Sequence, residues 1–173
     1  MTTRAIVIFP AFRNMAVIHR LRKQFDPLAG RIPPHITLVF PFESNMSKDA
    51  LRAEVVHCVA ESAPFRMVLS GITGHAGEYL FLNLREGSDR IVLLDDRLYA
   101  GALAPFLHKT VPFQPHLTVG RLPDAASFAQ ALSEVESMYD EFACIVESVV
   151  IERVLSDETS EVESEVMLPK ANR

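Results

Sequence analysis

Apolar residues along the chain alternate between short continuous runs and stretches in which they recur at helical spacing. Ala5–Phe9 is a β-branched run that stops at Pro10, and it predicts a buried strand. After it, apolar residues return every three or four positions, at Met15, Ile18, Leu21 and Phe25. That spacing predicts a helix, which Pro27 and Gly30 end. The chain therefore opens as a strand followed by a helix.

The next segments continue this alternation. A second strand is predicted over His35–Phe40, and we expect Pro41 to close it. Ser47 is placed to cap a second helix, because a serine hydroxyl accepts hydrogen bonds from the free amides of a first turn. The apolar runs Phe65–Thr73 and Tyr79–Leu84 are joined by a glycine-containing turn, and they predict a hairpin.

The same order then repeats in the second half of the chain. Helical spacing of Ile91, Leu94 and Leu98 is followed by a strand that begins at His116 and by a helix that Asp124 caps. Final strands are predicted within 142–155 and 162–168, and the acids of the last strand are expected to form a solvated edge: Glu161, Glu163 and Glu165. Residues 1–173 are thus interpreted as one domain with two pseudo-symmetric lobes.

Composition excludes several classes of protein. Hydrophobic residues make up 49% of the chain and charged residues 23%, which is typical of a folded globular domain. A formal charge of −5 argues against broad nucleic-acid binding, which depends on Lys and Arg. No signal peptide or membrane span is recognised. Cys58 and Cys144 lie in apolar patterns without metal-ligand spacing, so we expect buried thiols in a cytoplasmic protein.

One short phrase occurs twice, at equivalent places in the two halves. The chain reads Pro-His-Ile-Thr at 34–37 and Pro-His-Leu-Thr at 115–118. Because side chains alternate along a strand, His35 and Thr37 share one face, as do His116 and Thr118. A single His-x-Thr is uninformative, since a strand histidine is usually structural. Two copies in matching positions favour a functional interpretation.

Paired imidazoles and hydroxyls suit chemistry on a phosphate ester. With one histidine neutral and the other protonated, one imidazole accepts a proton while the other donates one near neutral pH. Thr37 and Thr118 are candidates to hold the phosphate oxygens. The sequence contains no compact cluster of metal ligands, so no cofactor and no metal are expected. Which histidine is the acid and which the base stays open.

These motifs resemble those of the 2H phosphoesterase superfamily, including its 2′-5′ RNA ligase and cyclic phosphodiesterase branch. HITLVF resembles the family's HxTLxF form; HLTVGR resembles its HxTLxR form, with Val119 replacing leucine. The resemblance implies an α+β, bilobal fold in which two antiparallel sheets flanked by helices face each other across a central cleft. It implies catalytic roles for His35 and His116 and phosphate binding by Thr37 and Thr118. The implied substrate is an RNA end or a small nucleotide, opened as a 2′,3′-cyclic phosphate or handled at a 2′-5′ linkage.

Other residues are candidates for the same cleft. Arg121 occupies a position that helps bind phosphate in several relatives, but strand alternation from His116 points it to the opposite face unless Gly120 forms a bulge. His75 lies in the predicted turn and is interpreted as a polar turn residue. The alternative is that its loop borders the site. Four aromatic residues are candidates to stack on a base, although core positions are the simpler interpretation for most of them: Phe9, Phe42, Tyr79 and Phe113.

Two alternatives are kept beside this hypothesis. The chain would be a nucleotide- or RNA-binding module of the same fold if it bound its ligand without turnover. It would be a metal-dependent hydrolase if chelation abolished its activity. No membrane partner is expected, and a monomer is favoured.

Overall fold

A computed structural model describes residues 1–110 and 112–170 and has the predicted α+β class. In this part of the chain, eight strands and four α-helices are joined by loops and one short 3₁₀ turn at Ala104–Phe106. The first half contains β1 Thr2–Ile8, α1 Met15–Phe25, β2 Ile36–Ser44, α2 Lys48–Val59, β3 Phe65–His75 and β4 Tyr79–Glu86. The second half contains α3 Ser88–Tyr99, β5 His116–Arg121, α4 Ala125–Val135, β6 Phe142–Val146, β7 Ser148–Val154 and β8 Ser160–Met167.

The strands form two four-stranded antiparallel sheets. The first sheet has the order β2-β1-β7-β8, and the second has the order β5-β4-β3-β6. The strands that carry the two His-x-Thr motifs, β2 and β5, are each the outer strand of a sheet. The duplicated motifs therefore occupy equivalent edges of two similar sheets.

Local sequence signals explain the helix ends. The hydroxyl of Ser47 accepts a hydrogen bond from the Ala50 amide at 3.1 Å, and a carboxylate oxygen of Asp124 accepts one from the Ser127 amide at 2.8 Å. Both residues have the extended backbone of a capping position. These two predicted caps are confirmed.

Two of the four helices, α1 and α3, are exchanged between the sheets: each packs on the sheet that it does not follow in the chain. Helix α1, which follows β1 of the first sheet, packs on β5 of the second, while α3, which follows β4 of the second sheet, packs on β2 of the first. Helices α2 and α4 lie against β8 and β3. The apolar faces meet in one core that contains side chains of both sheets and all four helices. This exchange ties the position of each motif strand to the opposite half of the chain.

Three sequence expectations need correction. Strand β2 passes through Pro41 and ends at Ser44, because the pairing with β1 shifts register between Arg4 and Ile6, and a proline without an amide hydrogen is tolerated at an edge irregularity. Glu163 is not a simply solvated acid, since it forms an ion pair with the buried Arg4. Of the two free thiols, Cys58 is buried and Cys144 is half-buried.

None of the helices in residues 1–110 and 112–170 combines the length and apolar character needed to cross a lipid bilayer.

Candidate active site

Both motif histidines are held by the same local contact. Nδ1 of His35 lies 2.8 Å from the Pro33 carbonyl oxygen, and Nδ1 of His116 lies 2.6 Å from the Gln114 carbonyl oxygen. A carbonyl oxygen only accepts hydrogen bonds, so each Nδ1 carries the proton and donates it. In the neutral rings, Nε2 is therefore the nitrogen with the free lone pair. The duplicated phrase produces two imidazoles of the same tautomer.

A cavity of about 510 Å³ lies between the two sheets at this site. The first sheet contributes Thr37 to its wall, and the second contributes His116 and Thr118. The remaining lining residues are Phe40, His75, Tyr79, Phe81, Thr110, Pro112 and Gln114. Its volume is in the usual range for a small-molecule site, and most of its surface is aromatic or apolar with a few polar groups. Both motif threonines thus line one cavity.

His35 is not one of the residues that line this cavity, but it lies near two that do, Thr37 and His116. It immediately precedes β2 and lies two residues before Thr37, so alternation puts both side chains on one face. Its ring is also close enough to His116 for its charge to lower the pKa of that residue. The two imidazoles, 81 residues apart in the sequence, are therefore close enough in the fold for the charge on one to act on the other.

His116 is packed against an aromatic ring. The Phe81 ring stacks on it with centroids 3.5 Å apart and planes inclined by 19°. Burial lowers the pKa of His116 from its ordinary value, and the charges of His75 and His35 lower it further, while the hydrogen bond to the Gln114 carbonyl opposes these effects. The neutral ring, with a free Nε2, is therefore favoured near neutral pH. That form suits a proton acceptor.

Replacing Phe81 with alanine should raise the pKa of His116 toward the ordinary histidine value of about 6.5, because burial is the largest cause of its lowering. An NMR titration of the histidine ring protons measures this change. Phe9→Ala is the matched control, since Phe9 meets His35 edge-on at 6.5 Å instead. A His116 titration that is the same in Phe81→Ala and the native protein would contradict the burial argument.

Arg121 reaches the motif face through a bulge. Tyr79 pairs with Arg121 and Leu80 with Gly120, but Phe81 pairs with Thr118, so one extra residue is inserted in β5. Simple alternation from His116 points Arg121 to the opposite face unless Gly120 forms a bulge, and the structure contains that bulge. The Arg121 guanidinium lies 5.7 Å from the Tyr79 ring centre and donates to a Glu78 carboxylate oxygen at 2.6 Å. It lines a neighbouring hollow that Glu78 also lines, and not the histidine cavity.

The candidate aromatic residues divide between the cleft and the core. Tyr79 lines the cavity, and Phe9 contacts His35. Phe42 is buried against Phe106, and Phe113 packs on the core. Phe42 and Phe113 are therefore core residues, as the simpler of the two interpretations predicted.

Two further cleft residues differ from the sequence expectations: Phe81 is not among the predicted site residues, and His75 is predicted to be a turn residue. Phe81 is two residues from Tyr79 and so shares its strand face, which is the signal that could have found it. His75 ends β3, lines the cavity and stacks on Phe81 with ring centres 4.8 Å apart. The cleft thus contains a third imidazole beside those of the two motifs.

Among residues 1–110 and 112–170, no three His, Cys, Asp or Glu side chains are gathered closely enough to hold a metal ion. Catalysis without a metal remains a prediction, which a chelation experiment tests.

Comparison with known families agrees with the motifs. The family described as the 2′-5′ RNA ligase superfamily matches residues 10–158. A protein of Geobacillus thermodenitrificans, provisionally named a phosphoesterase, is 29% identical over 140 residues, which cover 79% of each chain.

Solved structures share the fold at low sequence identity. TT0787 of Thermus thermophilus superposes with a TM-score of 0.65 at 17% identity, covering 98% of this chain and all of that one. LigT of Escherichia coli in its apo form superposes with a TM-score of 0.66 at 16% identity, covering 98% of both chains. A second LigT structure, in complex with 3′-AMP, has a TM-score of 0.61 at 15% identity, covering 98% of this chain and 99% of LigT. At these identities the likeness establishes the architecture alone.

Proposed function

The chain belongs to the 2′-5′ RNA ligase superfamily, and on that basis we propose that it is a metal-independent phosphodiesterase of RNA ends or small nucleotides. Its reaction is the opening of a ribose 2′,3′-cyclic phosphate or the cleavage of a 2′-5′ linkage. The single observation that carries this proposal is the doubled site. The threonine hydroxyls of both motifs and the imidazole of His116 line one cavity, and the His35 imidazole, two residues before Thr37, is near enough to lower the pKa of His116. Both imidazoles donate from Nδ1 to a backbone carbonyl.

The proposed reaction assigns one role to each imidazole. Water attacks the phosphorus of the cyclic ester while its proton passes to Nε2 of His116, whose burial favours the neutral ring. The bond from phosphorus to one ribose oxygen breaks, and that oxygen takes a proton from Nε2 of protonated His35. The product is a ribose phosphomonoester beside a free hydroxyl. A proton returned from His116 to His35 through solvent restores the starting state.

The threonines and Arg121 are proposed to bind the phosphate. The hydroxyls of Thr37 and Thr118 are donors that come from different sheets and line the same cavity, and each is proposed to hold one oxygen of the same phosphate group. Arg121 adds a positive charge beside Tyr79 at the edge of the site, after its guanidinium leaves Glu78. The aromatic wall formed by Phe40 and Tyr79 offers faces on which a nucleobase can stack. A LigT structure with 3′-AMP supports a nucleotide as the ligand.

Hydrolysis of a nucleoside 2′,3′-cyclic phosphate tests the proposal directly. We expect turnover that is unchanged by EDTA, with a single phosphomonoester product that chromatography identifies as the 2′ or the 3′ isomer. Activity that disappears with EDTA and returns with zinc or manganese would replace this mechanism with a metal-dependent one. Nucleotide binding without product at any pH would favour the binding-module alternative.

The cellular setting is part of the same proposal. We infer a cytoplasmic monomer that acts as one domain over 1–173. Cys58 and Cys144 are both free thiols, which agrees with a reducing compartment.

A further inference from the structure

A buried ion pair lies where α1 ends and the chain turns toward the first motif. Nε of Arg22 donates to a carboxylate oxygen of Asp26 at 2.7 Å, and each side chain is only 5% exposed. The mechanism proposed above does not use either residue. The pair lies on the segment that leads to His35, nine residues after Asp26.

The guanidinium also binds the backbone of the connecting loop. Nη1 of Arg22 donates to the Ile32 carbonyl oxygen at 2.8 Å, and Nη2 lies 3.5 Å from the Leu28 carbonyl oxygen. The second oxygen of Asp26 accepts from the Leu28 amide at 2.9 Å. One side-chain pair therefore fixes the loop 26–32 at both of its ends.

The end of this loop is adjacent in sequence to the carbonyl group that fixes the tautomer of His35. Ile32, which Arg22 binds, is followed by Pro33, whose carbonyl oxygen accepts from Nδ1 of His35. The ring of Pro33 fixes its own φ, and Pro34 restricts ψ of Pro33 to extended values, so the direction of the Ile32 carbonyl is transmitted to the Pro33 carbonyl with little freedom. The same end of α1 also meets β5, because Phe25 packs against Gly120. The C-terminal end of α1 thus packs on one motif strand and leads through the 26–32 loop to the other.

We propose that Arg22 and Asp26 are positioning residues for His35, which hold the Pro33 carbonyl where it fixes the imidazole tautomer and aims Nε2 into the cleft. This inference rests on the proposed function for its kinetic consequence. Its structural consequence, a fixed His35 tautomer, does not depend on turnover.

The chemistry of the pair supports a geometric role. A buried ion pair adds little net stability, since desolvation offsets much of the attraction between the charges. A guanidinium, however, presents several donors in one rigid plane, and here that plane satisfies a carboxylate and two carbonyls at once. A lysine has one nitrogen at the end of a flexible chain and does not reproduce these directions.

The chain offers a matched control in a second buried ion pair. Nε of Arg4 donates to Glu163 at 2.7 Å, with exposed side-chain fractions of 6% and 13%, and Nη1 of Arg4 donates to the Met46 carbonyl at 3.0 Å. This pair has the same chemistry and also binds a loop carbonyl. Its loop follows β2, however, and does not lead to either histidine.

The experiment compares Arg22→Met, Arg22→Lys and Asp26→Asn with Arg4→Met at a temperature where thermal unfolding shows each variant to be folded. In the two Arg22 variants and Asp26→Asn, we expect kcat for the cyclic nucleotide to fall by about 10- to 100-fold, the scale of a misplaced catalytic group, with KM changed less than about threefold. Nitrogen NMR of the His35 ring, recorded at a pH high enough for the ring to be neutral, should change from one Nδ1-protonated tautomer to a mixture. Arg4→Met should retain kcat and the single tautomer.

Several outcomes separate this inference from the proposed function. Native kcat and a single His35 tautomer in folded Asp26→Asn or Arg22→Lys would overturn the positioning role, even if Arg22→Met did not fold. An equal loss of kcat in Arg4→Met would also overturn it, because the effect would then be one of general stability. If the native protein had no turnover, the proposed function would fail, and the tautomer measurement alone would decide the positioning role.

Discussion

Alanine at His116 or at His35 is expected to lower kcat for cyclic phosphate hydrolysis by roughly 10²- to 10⁴-fold, the usual contribution of a general acid or base. The reason is that each ring carries one of the two proton transfers, and both rings present Nε2 through the same Nδ1 contact. Because the two act in one step, the double variant should be far less impaired than the product of the single losses predicts. Steady-state kinetics with saturating substrate measure all three variants.

The control for this pair is His57→Ala. His57 lies exposed on α2, far in sequence from both motifs, and it lines no part of the histidine cavity. Its replacement should leave kcat unchanged. Turnover at the native rate in either His35→Ala or His116→Ala, with circular dichroism showing a native fold, would remove that residue from the acid–base assignment.

The doubled motif was predictable because its geometry depends on local chemistry alone. The strand period of two sets which side chains share a face, and the preceding prolines favour an extended backbone at each strand start. The caps at Ser47 and Asp124 follow from the same kind of local rule. Elements, helix starts and the motif faces could therefore be predicted before any tertiary contact was known.

The remaining features depend on contacts between distant parts of the chain. The stacking of Phe81 on His116 comes from the pairing of β4 with β5, and the ion pair of Arg4 with Glu163 joins opposite ends of the sequence. No local spacing encodes either contact. The bulge at Gly120 is an intermediate case: glycine permits it, but only the register of β4 against β5 decides it.

Gly120 also shows how the exchanged helices act on the site. A β-carbon built there would lie 2.9 Å from Cβ of Phe25 and 3.0 Å from a methyl carbon of Leu80, so α1 packs directly on the bulged strand. The pair formed by Arg22 and Asp26 belongs to the same helix end and reaches toward His35. One helix terminus therefore contacts both the loop that leads to His35 and the strand that carries His116, and in this way the exchange of α1 links the two halves of the site.

Valine at Thr37 and Thr118 is expected to weaken phosphate binding, because valine keeps the branched shape and removes the hydroxyl donor. A hydrogen bond to a charged group contributes roughly 1.5–3 kcal/mol, which is about 10- to 100-fold in affinity for each threonine. Thr37 and Thr118 lie on different sheets but share one phosphate as their partner, so their losses are coupled, and the double variant should lose more affinity than either single variant without reaching the simple product. Isothermal titration with the product nucleotide measures the affinity, and kcat/KM should fall in parallel.

Thr73→Val provides the comparison, since Thr73 lies on the same face of the second sheet, in the row that runs through Phe81 to Thr118. Its hydroxyl bonds to the Asn83 side-chain oxygen at 3.2 Å, and it does not line the histidine cavity. Its replacement should leave nucleotide affinity within about twofold of native, because only surface hydrogen bonds to Asn83, of small net value, are lost. Equal affinities for the Thr37 and Thr118 variants and the native protein would place the phosphate elsewhere in the cleft. Loss at only one of the two would mean that a single sheet binds the phosphate, so the duplication would not extend to substrate recognition.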